Sequence, residues 1–225
     1  MRFLLLTSPT NPFCTNIALM LIKEKKIKVR FIFLDHLGKE YFSFRNLRKQ
    51  IIRSGVGFLS MKLIDVLLSA FRKWMGVLGV QLHPIYPAEV AIQNNIHIDS
   101  VLDINANKSL TKIKEFDPDY LITVGFGQIL GEEALNLANL ASINIHPSLL
   151  PRHKGSNPFR EILMAGDSTT GVTIHRLTKV VDSGEILEQV SYKVPPHPNQ
   201  WNLRALASKK GADALQKLLV KLSGK

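Results

Sequence analysis

The sequence predicts an α/β fold built on a doubly wound, mostly parallel sheet, and its opening stretch carries most of that reading. "RFLLLT" at 2–7 is a continuous apolar run, the pattern of a parallel strand covered on both faces. Asn16 to Lys25 follows with Ile17, Met20 and Leu21 at helical core spacing. "KVRFIFLD" at 28–35 then supplies a second strand-like run. A β-α-β opening of this kind argues for parallel strands wound with helices on both faces.

From about residue 40 to 80 the rhythm breaks. "FRNLRKQIIRSGVGFLSMKLIDVLLSAFRKWMG" is amphipathic and helical in pattern, and Gly55 and Gly57 divide it, so it reads as an inserted helical pair. "IHIDSV" at 96–101 is the third strand. "SLTKIKEFDPDYLITVGFGQIL" reads as a helix, a turn at Pro118 and a strand at 120–125. A short helix at 131–139 leads to a strand at 142–146. Past a Pro-rich loop come a helix at 157–165 and strands at 171–177 and 186–193. The tail from Trp201 to Leu222 is an amphipathic helix carrying Leu203, Leu206, Leu215, Leu218 and Leu219. With no repeat and no low-complexity tract, residues 1–225 are expected to form a single domain.

Composition narrows the class. Hydrophobic residues make up 45% and charged residues 21%, which suits a soluble fold with a sizeable core. The one cysteine, Cys14, excludes an intramolecular disulfide and a thiolate zinc cluster. The apolar run at the start is too short for a signal-peptide core, and no stretch is long enough to span a membrane, so a cytoplasmic location is expected. Net charge is +11, unevenly spread. Lys39, Arg45, Arg48, Lys49, Arg53, Lys62, Arg72 and Lys73 face only Glu40 and Asp65 between Gly38 and Val80, a net +6. Such a basic insertion favours anionic partners: nucleotide phosphates, RNA or an acidic membrane surface. It could equally cover the site or join two copies as a homodimer.

"INIHPSLLPRHKG" at 143–155 carries the most informative chemistry. Alternate side chains of a strand share a face, so Asn144 and His146 look the same way at a strand end. An amide donor beside an imidazole suits a developing oxyanion. Asp182 lies in "VDSGEIL", where Ser183-Gly184 makes a tight turn. If the strands at 142–146 and 171–177 are neighbours, that turn brings Asp182 beside His146, where a carboxylate would keep the imidazole charged and oriented. Other candidates are weaker. Ser148 lacks the glycines of a nucleophile elbow. The seven histidines show no metal-ligand spacing, so no metal is expected. His175, within a strand, reads as a packed, hydrogen-bonded side chain. "GFGQ" at 125–128 lacks the full dinucleotide fingerprint.

Three segments in order, "DPDYLITVGFGQIL", "INIHPSLLPRHKGSNPF" and "AGDSTTGVTIHRLTKVVDSGEILEQ", resemble the folate-dependent formyltransferases closely over residues 117–189. The resemblance implies a Rossmann-like catalytic domain that moves a formyl group from 10-formyltetrahydrofolate to a primary amine without a metal. It implies catalytic roles for Asn144, His146 and Asp182, which match the family's Asn, His and Asp without substitution. By regions, it places the folate beside Phe126, Gly127, Gln128, Ile129 and Leu130 and beside Val180, Val181 and Gly184. The acceptor amine falls near Pro147, Ser148, Lys154 and Gly155.

The acceptor is less sharply implied. Methionyl-tRNA formyltransferases resemble this core but continue into a C-terminal β-barrel, which is expected to be missing after Lys225. Glycinamide ribonucleotide formyltransferases carry a Gly-Ser-rich loop after the first strand, where this chain reads "TSPTNPFCTN" with no glycine. By elimination, a small-molecule amine, the amino group of a sugar nucleotide, is the first expectation, with tRNA second. Glycinamide ribonucleotide as acceptor, hydrolysis of 10-formyltetrahydrofolate and an inactive nucleotide-binding module are the remaining alternatives.

Overall fold

The computed structural model describes residues 1–34 and 86–223, with Ile64, Leu67, Leu68, Ala70, Phe71, Trp74 and Met75 between them. The helical pair expected at 40–80, with its roles as membrane contact, cover or dimer surface, otherwise lies outside the described residues.

Strand β1, Arg2–Thr7, starts the sheet, and a 3-10 turn at Pro12–Cys14 leads into α1, Thr15–Lys23. Strand β2 is Lys28–Leu34; α2, Pro87–Gln93, and β3, Ile98–Val101, come next. Helix α3, Asn107–Phe116, stops at Asp117, whose left-handed φ of 51° lets its N–H close on the last carbonyls. Strand β4 is Tyr120–Val124, α4 is Glu132–Leu135 and β5 is Ala141–His146. Helix α5, Pro158–Ala165, opens on a proline and closes on Gly166 at φ 65°. Strands β6, Thr169–Arg176, and β7, Ile186–Lys193, precede α6, Gln200–Ser223.

The sheet order is β3-β2-β1-β4-β5-β6-β7. The pairings from β3 to β5 are parallel, and β6 and β7 run antiparallel at the far edge. The continuous apolar character of β1 and β4 follows from this layout, because both faces of the central strands are covered. Phe3, Leu5, Phe31 and Val124 bury one face under α1 and α6, where Ile17, Leu21, Leu203 and Leu215 meet them. Leu4, Leu6, Ile32 and Leu121 bury the other face under α3, with Leu110 and Ile113. Cys14 is fully buried at the head of α1, and burial pushes its thiol up to about 12, against a lowering contact with Thr7. Among the described residues no helix is long and apolar enough to cross a membrane.

The helix expected at 131–139 is a single turn. Beyond it, Asn139 and Leu140 donate their N–H groups to the Pro118 and Asp119 carbonyls, so the backbone there is spent on the approach to β4. Strand order reverses between β1 and β4, and a crevice opens outside the carboxyl ends of the strands at such a point. That crevice holds the site.

Candidate active site

Asn144 and His146 close β5 on one face, and the ladders decide what stands beside them. Across the antiparallel pairing Asn144 is opposite His175 and His146 is opposite Thr173. Across the parallel pairing Thr123 of β4 is opposite Asn144. Asp182 comes from the loop between β6 and β7 with φ at +49°, a left-handed conformation that a non-glycine residue keeps only when its surroundings enforce it. Two contacts enforce it. The Gly155 N–H donates to Asp182 Oδ2 at 2.7 Å. Gly184 lies so close to β6 that a Cβ there would sit 1.9 Å from the Arg176 carbonyl oxygen, so this return demands glycine.

The polar groups converge. His146 Nδ1 is 3.5 Å from Asp182 Oδ2, and Asn144 Nδ2 donates to Asp182 Oδ1 at 3.4 Å. His175 Nε2 lies 3.2 Å from Asn144 Nδ2 and 3.5 Å from Asp182 Oδ1. Backbone and hydroxyl partners set each orientation. The Thr123 hydroxyl donates to Asn144 Oδ1 at 2.8 Å, which turns the amide nitrogen toward the carboxylate. His146 Nε2 donates to the His153 carbonyl at 2.9 Å, leaving Nδ1 as the nitrogen that faces Asp182. His175 Nδ1 donates to the Arg176 carbonyl at 2.9 Å, leaving Nε2 to accept from Asn144.

Burial fixes the charges. His146 is 4% exposed, and desolvation lowers its pKa below the ordinary 6.5 although the Asp182 carboxylate opposes this. Burial works upward on Asp182, but the neighbouring His175 and His146 rings and the Gly155 N–H together hold it below the ordinary 3.8. At neutral pH the resting pair is therefore a neutral imidazole beside an ionised carboxylate. The charged imidazole expected from sequence is favoured by Asp182 and opposed by the larger loss of solvent.

A cavity of about 980 Å³ runs along the carboxyl ends of β1, β4 and β5, and the Asn144–His146–Asp182 cluster lies in its wall. Phe126, Gly127, Gln128, Ile129, Leu130, Val181, Pro147 and Gly155 also line it. Four expected residues stand elsewhere. Ser148 is fully buried with its hydroxyl donating to the Arg152 carbonyl at 2.7 Å, inside its own loop. Lys154 is exposed and reaches Ser183 Oγ at 3.2 Å, tying two loops together outside the cavity wall. Val180 points to solvent and Gly184 is absorbed in the turn. Gln128 lines the cavity, but its amide is occupied: it accepts from the Ile104 N–H at 2.8 Å and donates to the Leu102 carbonyl at 2.6 Å.

Sequence reasoning missed Thr123, Asn105 and Arg204 and placed His175 only as a packed side chain. His175 is buried and also touches Asn144 and Asp182, and its alternation with Thr173 in "GVTIHR" was the available signal. Arg204, from α6, lines the cavity with its guanidinium 5.5 Å from the Phe159 ring centroid, a contact no local motif announces.

Residues 62–219 match the family model described as formyl transferase. The chain belongs to the formyl transferase family. Methionyl-tRNA formyltransferase from a Wolbachia of Drosophila simulans is 37% identical to this chain over 130 residues, 58% of the chain and 44% of the relative. The Limosilactobacillus fermentum protein of the same name is 36% identical over 134 residues, 60% and 42% of the two. The chain thus spans less than half the length of these curated relatives. Phosphoribosylglycinamide formyltransferase from Bacillus halodurans shares the fold, with a TM-score of 0.66 and 16% identity over 100% of this chain and 96% of that one. A sugar N-formyltransferase from a Shewanella species gives 0.58 and 18% over 99% and 70%. The likeness to both structures establishes a Rossmann-like formyl transferase fold.

Proposed function

We propose that the chain transfers the formyl group of 10-formyltetrahydrofolate to a primary amine by direct attack, through a tetrahedral intermediate stabilised by Asn144, His146 and Asp182. The observation that carries this reading is the convergence of an amide donor, a neutral imidazole nitrogen and a carboxylate within 3.5 Å in the cavity wall. Ser148, the hydroxyl next to the cluster in sequence, turns into its own loop, and Cys14 is buried in the core.

The co-substrate supplies an activated formyl carbon. As the amine nitrogen bonds to that carbon, Asn144 Nδ2 donates to the oxygen that gains charge, already aimed by Thr123. His146 Nδ1 takes the proton that the amine sheds and becomes an imidazolium beside Asp182. It returns that proton to the departing folate nitrogen as the carbon–nitrogen bond breaks, giving a formamide and tetrahydrofolate. The apolar wall of Phe126, Leu130, Leu177 and Val181 suits a flat heterocycle, and backbone groups of 126–130 and 180–184 suit its ring edges.

For the acceptor we place the amino group of a sugar nucleotide first. Asn157 Nδ2, in the acceptor wall, is buried with no hydrogen-bond partner among the described residues, which suits a hydroxyl-rich ligand. After β1, Asn11 Oδ1 accepts from its own turn at Phe13, and no glycine loop is present to cradle a phosphate as in glycinamide ribonucleotide enzymes. Methionyl-tRNA is the second reading, favoured by the names of the relatives at 36–37% identity. Incubation with 10-formyltetrahydrofolate and amino-sugar nucleotides, glycinamide ribonucleotide or charged initiator tRNA decides. A formylated sugar is expected. Formylation of tRNA alone overturns the acceptor, formate release without any amine points to hydrolysis, and an untouched donor overturns formyl transfer.

A further inference from the structure

We propose that Asp167 is a positioning residue: by clamping the Arg152–His153 corner it holds the His153 carbonyl on Nε2 of His146 and so keeps Nδ1 turned to the reaction. This rests on the proposed formyl transfer for its kinetic consequences, though not for its geometry.

The loop leaving β5 is fastened in two stages. At its base the Thr173 hydroxyl donates to the Ser148 carbonyl at 2.6 Å and accepts from the Leu150 N–H at 3.1 Å, and Gln189 donates to the Leu150 carbonyl at 3.1 Å. At its far end His153 adopts φ 54°, a left-handed conformation, and this turns its carbonyl back toward His146. A non-glycine residue stays there only if its neighbours hold it.

Asp167 does the holding. It follows the Gly166 cap of α5, and its N–H donates to the Ile162 carbonyl at 3.3 Å, so the residue is fixed to a helix end. One carboxylate oxygen takes Arg152 Nη2 at 2.6 Å and the other takes His153 Nε2 at 2.6 Å. The Asp167 side chain is 8% exposed and the His153 ring 12%, so the His153 prong is shielded, while the Arg152 prong, with its side chain 61% exposed, adds a solvent-facing second bond. Glu161 of α5 stands 3.7 Å from the other ring nitrogen and favours the same ring position.

The consequence reaches His146. The groups that act on its ring are Asp182 from the β6–β7 loop, His175 from β6, Glu161 from α5 and the His153 carbonyl. Among the described residues only the carbonyl engages Nε2. Released, the ring can place its proton on Nδ1 and offer the acceptor amine no lone pair.

The test uses His153→Phe, which keeps a ring without nitrogens, and Asp167→Asn, which keeps size and removes charge. His153→Gln, which restores a donor toward Asp167, is the rescue. For the first two, kcat should fall at least about tenfold with KM for donor and acceptor within about twofold, and His153→Gln should recover most of it. Because the carbonyl bond supports the protonated ring, its loss should also move the acid inflection of kcat/KM to lower pH. Nitrogen NMR of the histidine rings gives a readout independent of activity: His146 should be an Nε2–H tautomer in the wild type and a tautomer mixture in both variants. Should wild-type protein transfer no formyl group, the function above fails while the NMR still decides this point. An unchanged His146 tautomer in Asp167→Asn, or KM rising as steeply as kcat falls, overturns the proposal. If His153→Phe does not fold, Asp167→Asn alone decides.

Discussion

Asn144 has two hydrogens on its amide nitrogen, and the Thr123 hydroxyl settles which way they face by occupying the oxygen. That fixed orientation gives the side chain its proposed value: at rest the amide hydrogens meet His175 and Asp182, and one of them passes to the new charge without the amide turning over. Asn144→Ala should lower kcat by about a hundredfold to a thousandfold, the usual loss of one oxyanion donor, and His146→Ala by about a hundredfold to ten-thousandfold, the usual loss of a general base, both measured by single-turnover formylation. The neutral resting state of His146 makes a second prediction. Activity needs the unprotonated ring, so kcat/KM should fall on the acid side with an inflection below 6.5. In Asp182→Asn the carboxylate that raises the His146 pKa is gone, so the inflection moves to still lower pH even as the rate drops. An inflection that moves upward would contradict the assignment. That Asn144 and His146 share a face was legible from a period of two, and Asp182 stood out on its Ser-Gly turn, while their catalytic roles came from the family resemblance. Thr123 and His175 were not legible, since their nearness to Asn144 depends on strand register, which no local pattern reports.

The loops are the next level, and two of them form one wall. Asn105 donates to the Ile129 carbonyl at 3.0 Å and accepts from the Gly131 N–H at 2.6 Å. Gln128 makes the reciprocal pair of bonds with Leu102 and Ile104. The loops at 102–105 and 125–131 are thus stitched side chain to backbone, as two strands would be by their main chains. If the folate lies against 126–130, Asn105→Ala frees that wall without touching the chemistry. These bonds are exposed, and an ordinary hydrogen bond contributes about 0.5–1.5 kcal/mol net, so KM for 10-formyltetrahydrofolate should rise roughly twofold to tenfold with kcat nearly unchanged; titration of the initial rate against donor checks this. The sequence pointed to Gln128 as a folate contact because the motif marks the loop. Which neighbouring loop its amide would meet is a tertiary fact, and the same reason hides Asn105.

At the scale of the molecule, α6 joins the two ends of the chain by lying over α1, β6 and β7. Leu215 is fully buried in this seam. Leu215→Ala should cost about 2–5 kcal/mol, which for a chain of this size lowers Tm by roughly 2–4 °C per kcal/mol. Calorimetry would read the shift, and activity per folded molecule at low temperature should stay near wild type because the residue is not among those lining the cavity. The β-α-β opening and the helical tail were legible as periodic apolar patterns of ordinary length. The reversal of direction at β6 and β7 was not, because an alternating strand reads the same whichever way it runs.

Cys14 is the chain's one thiol, and its burial and raised pKa keep it closed to alkylating reagents while the protein is native. A maleimide dye would therefore count opened molecules against a dark background. A cysteine engineered onto any exposed loop could be labelled alone, which gives a ready handle for following substrate arrival by fluorescence.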